Sequence, residues 1–205
     1  MTSATVTRIV REHLVPTLVE RGFRRSGTTF RRPVAEVVQV VQVQRSTRNG
    51  PAASRFYLNG SVYVPVLDEL LGVPARPEPD EPSCHVRLRP HDVLAAAPAH
   101  YDVTTGADAE TVGPAAARDL VALVLALDGL TTAGAAVGEL AGHGLAQYER
   151  VFGWYVSHGR EEAARDFVGD LHARFGAERR WAIFADHLDA VAATVGSGAD
   201  WRTWV

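Results

Sequence analysis

The stretch that most limits what this chain can become is residues 23–64, FRRSGTTFRRPVAEVVQVVQVQRSTRNGPAASRFYLNGSVYV. Within it Phe56, Leu58, Val62 and Val64 alternate with Tyr57, Asn59, Ser61 and Tyr63, and Gly60 falls on the apolar side. Successive side chains of a strand point to opposite faces, so this period of two reads as a half-buried β-strand. Val37 to Val43 is apolar on both faces, as a central strand covered on both sides requires. Gln39, Gln42 and Gln44 interrupt that run, and any glutamine amide buried there must find hydrogen-bond partners. Arg48-Asn49-Gly50-Pro51 between the two strands is turn chemistry, because Asn-Gly accepts positive φ and proline cannot donate to a ladder. Thr28 to Arg32 reads as a shorter strand entered through Ser26-Gly27 and closed by Pro33. Short links between consecutive strands make an antiparallel meander. His85-Val86-Arg87-Leu88-Arg89 alternates as well. The expectation is a sheet of about four strands, from residues 28–32, 36–45, 55–64 and 84–89.

The flanking sequence has a helical period. Val6, Ile9, Val10, Leu14, Leu18 and Val19 stripe a helix over Thr5 to Arg21, with Pro16 kinking or restarting it and Gly22 ending it. Pro65 to Leu71 reads as a short helix. Val73 to Pro82, proline-rich and acidic, reads as an exposed loop. Asp92 is placed to cap a turn through Ala97, and Tyr101 to Gly113 reads as loop. Ala115 to Asp128 is apolar on most sides, a buried helix with Pro114 in its first turn. Four more stripes follow Gly129, and Trp201 and Trp204 close a tail that docks on the body. The fold class expected is α+β: an antiparallel sheet with an N-terminal helix, then a C-terminal helical region. Residues 1–130 form the α+β domain and 131–205 a helical extension packed on it.

The run Pro16-x-Leu18-x-x-x-Gly22-Phe23-Arg24-Arg25-x-Gly27-x-Thr29-Phe30 resembles the opening of the bacterial domain-of-unknown-function family 4304. There a helix ends in Leu-x-x-x-Gly-Phe, followed by a basic pair and a Gly-x-x-Phe strand. The resemblance continues through Val38 to Ser46, Phe56 to Gly60 and Cys84 to Arg89, roughly the first two thirds of the chain. It implies an α+β domain of bacterial origin and brings no catalytic residues. Some members resemble immunity proteins of polymorphic toxin systems.

Charge is unevenly placed. All 21 basic residues are arginine. Residues 1–60 hold ten arginines against Glu12, Glu20 and Glu36, a balance of +7, which leaves −10 for the rest of a chain whose formal total is −3. Either the basic part meets an anionic partner, or the two parts neutralise each other. One cysteine, Cys84, permits no internal disulfide, and no apolar run approaches the roughly 18 residues that cross a bilayer. The N-terminus lacks a signal-peptide layout, and Glu12 and Glu20 argue against a transit peptide. A cytoplasmic protein without a membrane partner is expected.

The densest polar constellation is His85, Arg87 and Arg89 on one strand face, with His91 just beyond and Tyr57, Asn59 and Tyr63 on the polar face of the neighbouring strand. Arginine offers a planar fork that fits carboxylate or phosphate. The same residues also suit a solvated face or a structural polar network. No metal is expected: adjacent Cys84 and His85 point to opposite faces, and His91, His100, His143, His158, His172 and His187 show no ligand spacing. No cofactor is expected, since no phosphate-cradling glycine loop is present. No nucleophile elbow stands out, and Cys84 reads as a small buried hydrophobe. Asp68-Glu69 and Asp186-x-x-Asp189 read as helix-surface carboxylates. These features point to a non-enzymatic binding protein, an immunity-like or regulatory module whose partner is another protein. The alternatives are a nucleic-acid or phosphate-ligand binder using the arginine-rich face, or an enzyme whose groups meet only in space. The sequence leaves the oligomeric state open.

Overall fold

The computed structural model describes residues 2–143, 145, 147–198 and 200–205. They form two compact units, residues 2–63 with Glu78–Thr132, and Val64–Pro77 with Ala133–Val205.

The first unit opens with α1 (Thr2–Ile9), a π-helical turn Val10–Leu14 and α2 (Val15–Glu20). Pro16 has no N–H to give, and its ring crowds the carbonyl four residues back. The wide turn absorbs this: the Val15 N–H reaches back to the Val10 carbonyl, and the helix continues past the proline. Val6, Ile9, Leu14 and Leu18 are fully buried along one side. Gly22 ends the helix at φ +83°, and Phe23 N–H donates to the Leu18 carbonyl at 3.0 Å, a Schellman closure.

The meander follows as β1 (Arg24–Ser26), β2 (Thr29–Val34), β3 (Val37–Arg45) and β4 (Ser54–Tyr63), each antiparallel to the one before. After α3 (Pro65–Glu69), in the second unit, the chain returns as β5 (Val86–Leu88), α4 (Pro90–Val93) and β6 (Tyr101–Val103). The sheet has six strands rather than about four. β1 carries no apolar signal, because all three of its residues are exposed; β6 falls in a stretch read as loop. Both short strands β5 and β6 pair with the same edge of β4: β6 with Ser54 to Phe56, β5 with Gly60 to Val62. Tyr57, Leu58 and Asn59 lie between those two pairings.

One sheet face packs on α5 (Ala109–Asp128). A Cβ on Gly60 would meet the Leu123 side chain at 2.8 Å, so the glycine lets helix and sheet close up. Phe30, Val41, Leu58, Val62, Leu120 and Leu123 are buried in this layer. Helix α5 starts six residues before the expected Ala115, with Pro114 inside it. Its entry is set by Asp108, whose Oδ2 accepts the N–H groups of Thr104 at 2.5 Å and Thr105 at 2.8 Å. Those backbone donors, Thr105 first, hold the Asp108 carboxyl down at about 2. A folded-state value below the unfolded value of about 3.9 contributes stability above pH 4 that is lost as pH falls toward 2. Asp108→Ala is therefore expected to lower stability at neutral pH and to flatten the acid limb between about pH 4 and 2; denaturant titrations of both proteins across that window check it.

The other face is crossed by the segment between residues 78 and 84. The sequence reads Val73 to Pro82 as exposed loop; residues 73–78 are, but Pro79 is buried. Arg31 Nε donates to the Pro79 carbonyl at 2.6 Å, and Arg87 donates to the Pro82 carbonyl. Two arginines of the basic face are thus engaged by an acidic segment of the same unit. Beneath it Val40, Tyr63 and Cys84 form a buried cluster. Burial pushes the Cys84 thiol up to about 12, so it behaves as a small hydrophobe whose S–H points at the Asp80 carbonyl.

The second unit is helical: α3, α6 (Ala133–Gly142), α7 (Tyr148–Ser157), α8 (Glu161–Phe175), α9 (Trp181–Thr194) and a closing 3₁₀ turn, Trp201–Trp204. Two carboxylates read as surface groups are structural here. Asp68 is buried and pairs with Arg150 at 2.8 Å. Asp189 accepts from Trp201 Nε1 at 2.9 Å and pairs with Arg202, fixing the tail so that the Trp201 ring meets Phe152 edge-on. Among the described residues no single helix is long and apolar enough to cross a membrane.

Candidate functional site

The polar residues of β4 and β5 converge where the edge of β4 lies open. Antiparallel pairing sets Ser61 against Arg87, so Arg87 projects from the face that also carries Asn59 and Tyr57. Gly60 opposes Leu88, which places Arg89 beside Asn59. A cleft of about 360 Å³ opens here, lined by Gln44, Asn59, Glu81, Arg87, Arg89 and His91 together with Asp92. The Arg89 guanidinium lies over the Tyr57 ring at 5.6 Å, a contact worth about 0.5–1 kcal/mol at an exposed site. Turn α4 is tied in by Asp92, whose Oδ2 accepts the Arg89 backbone N–H at 2.7 Å while Oδ1 stands 3.5 Å from His91 Nε2. Arg87 Nε lies 3.6 Å from Glu81.

The floor of the cleft is amide. Asn59 Nδ2 donates to Gln44 Oε1 at 2.9 Å and to Gln42 Oε1 at 3.4 Å. Asn59 is only 5% exposed, and its Oδ1 has no hydrogen-bond partner among the described residues. A buried acceptor left unmade costs about 1–3 kcal/mol.

Of the seven residues named from sequence, Asn59, Arg87, Arg89 and His91 line this cleft, and Tyr57 supports Arg89. His85 and Tyr63 do not reach it. Tyr63 is fully buried and stacks on the nearly buried His85 ring at 5.1 Å. Both sit at the end of the sheet covered by the 78–84 segment. Gln44, Glu81 and Asp92 were missed. Gln44 sits opposite Tyr57, but that is known only once the β3–β4 register is fixed. Glu81 and Asp92 come from segments without a periodic signal.

A second cleft of about 440 Å³ is lined by Tyr57 with Ser46, Thr47, Arg48, Asn49, Arg55 and Asp102. Two of its charges engage each other. Arg55 forms a two-pronged pair with Asp102 at 2.7 and 3.0 Å, which holds the Asp102 carboxyl below the usual carboxylate range. Asn49 clamps the Arg55 backbone, accepting its N–H at 2.7 Å and donating to its carbonyl at 3.1 Å. Among the described residues no group of three or more His, Cys, Asp or Glu side chains is placed to hold a metal ion.

Fold and cleft define an α+β domain in which a six-stranded antiparallel sheet, backed by helices on one face, carries a polar, arginine-lined cleft at its edge. The family model described as Domain of unknown function (DUF4304) matches residues 14–119, more than half of the 205, and the chain belongs to that family. Both clefts fall inside the matched span. No curated protein and no solved structure matches the chain.

Proposed function

We propose that this chain is a non-enzymatic binding protein of the bacterial cytoplasm, immunity-like in that it works by docking on another protein. The observation that carries this reading is the cleft in which Asn59, Arg87, Arg89 and His91 meet, with Arg89 resting on Tyr57. Arginine and tyrosine dominate interface energetics because each brings a large, rigid contact area with directional donors. A nucleic-acid partner is less well supported. Glu81 and Asp92 offset the two arginines of the cleft, and the Tyr57 ring, already under Arg89 and edge-on to His100 at 6.0 Å, is a poor platform for a stacked base.

Affinity recovery of the tagged full chain from its own host tests this. A protein partner retained at about 0.5 M salt is expected, because phosphate contacts weaken steeply with salt and a packed protein interface does not. Recovery of nucleic acid that is lost on raising the salt would instead favour the alternative.

A further inference from the structure

The chemistry of the cleft narrows what it accepts. Two arginines face two carboxylates, Glu81 and Asp92, so the arginines bring the lining no surplus of positive charge. That balance disfavours a phosphate, which carries close to two charges near neutrality. The arginines differ in their commitments. Arg87 is held by the Pro82 carbonyl and stands near Glu81; the guanidinium of Arg89 rests on an aromatic ring, and among the described residues no carboxylate meets its N–H fork. Beside Arg89, Asn59 Oδ1 is a buried acceptor that lacks a donor among the described residues. The site therefore wants one anionic acceptor pair for the Arg89 fork and, next to it, one N–H donor.

We infer that the cleft recognises a peptide segment of the partner carrying a single carboxylate, an aspartate or glutamate side chain, with the flanking backbone N–H directed at Asn59 Oδ1. The inference rests on the protein-binding reading above. Arg89 lifts from the Tyr57 ring to take the carboxylate in a bidentate pair. The peptide N–H then reaches Asn59 Oδ1 in the same cleft and satisfies it. Neither unpaired phosphate nor a neutral peptide supplies both halves.

The test is a titration of the ¹⁵N-labelled full chain, followed by NMR. The probes are acetyl-glycyl-aspartyl-glycinamide, its asparaginyl counterpart and inorganic phosphate. The aspartyl peptide is expected to shift the Asn59 side-chain amide and the Arg89 Nε–H saturably, at least about tenfold more tightly than the asparaginyl peptide, a factor worth about 1.4 kcal/mol. Arg89→Gln abolishes the Asn59 amide shift, whereas Arg48→Gln, in the neighbouring cleft, leaves both shifts unchanged. Equal response to both peptides, an equal or stronger response to phosphate, or persistence in Arg89→Gln overturns the inference. If the peptide fails while partner recovery still depends on Arg87 and Arg89, only carboxylate recognition falls. If phosphate alone binds, the protein-binding reading falls with it.

Discussion

Replacing Gln39 with alanine is expected to lower the unfolding free energy by about 2–4 kcal/mol. Gln39 is fully buried in the middle of the sheet, where its amide joins three elements. Its Oε1 accepts from Arg32 Nε at 3.0 Å and from a second guanidinium nitrogen at 2.5 Å. Its Nε2 donates to the Leu127 carbonyl at 2.6 Å, near the end of α5. Arg32 in turn donates to the Arg21 carbonyl at 2.8 Å, just past α2, pairs with Asp128 and lies 4.5 Å over the Phe23 ring. One amide and one guanidinium thus tie the ends of α2 and α5 to β2 and β3. The Leu127 carbonyl keeps the Leu130 N–H at 2.8 Å, but truncating Gln39 removes both acceptor contacts from the largely buried Arg32 guanidinium, so a desolvation penalty comes without compensation. Chemical denaturation of Gln39→Ala, Arg32→Ala and the double variant checks this. The double variant should lose less than the sum of the singles by about 1–2 kcal/mol, because both remove one network. Simple additivity would show that the two side chains act independently.

Leu58→Ala is expected to cost about 2–5 kcal/mol. Leu58 is 1% exposed and opposes Val43 on β3, on the face covered by α5. Losing its isobutyl group removes the transfer free energy and leaves a cavity that surrounding backbone on a paired sheet closes only in part. Tyr57, the preceding residue, points to the opposite face and is half-buried; Tyr57→Ala should cost markedly less, about 1 kcal/mol. Equilibrium denaturation of the pair reads the face assignment directly. A loss below about 1 kcal/mol for Leu58→Ala would mean that the alternation is inverted.

What the sequence disclosed and what it hid follow from how each signal arises. The period-two run from Phe56 and the two-sided valines of β3 reflect burial of side chains on a pleat, a local pattern, and both strands stand where that pattern sets them. The glutamines that break the valine run advertised a need for partners; Gln39 found them in Arg32 and the Leu127 carbonyl, which no local pattern could name. β1 escaped notice because an exposed edge strand has no apolar face, and the start of α5 because Pro114 suits a first turn so well. Asp68 and Asp189 looked like surface charges; their partners, Arg150 and the Trp201–Arg202 pair, lie far along or beyond a turn of the chain. At the cleft, residue type was legible and placement was not. Arg87, Arg89 and Asn59 converge because β5 pairs with β4 in one register, whereas His85 and Tyr63, on the same polar alternation, are closed over by the 78–84 segment.

The claim that this sheet face is a docking surface is tested most directly by replacing Arg87 and Arg89 together with alanine, with Arg89→Ala alone beside it. Arg89 makes its described side-chain contact with the Tyr57 ring, so its removal should leave the fold intact. Recovery of the partner from the native host and the melting temperature are measured for each variant. Loss of recovery at an unchanged melting temperature, already substantial in Arg89→Ala, is the predicted result. Undiminished recovery, or a large drop in melting temperature in Arg89→Ala, would contradict the account and make these arginines part of the scaffold.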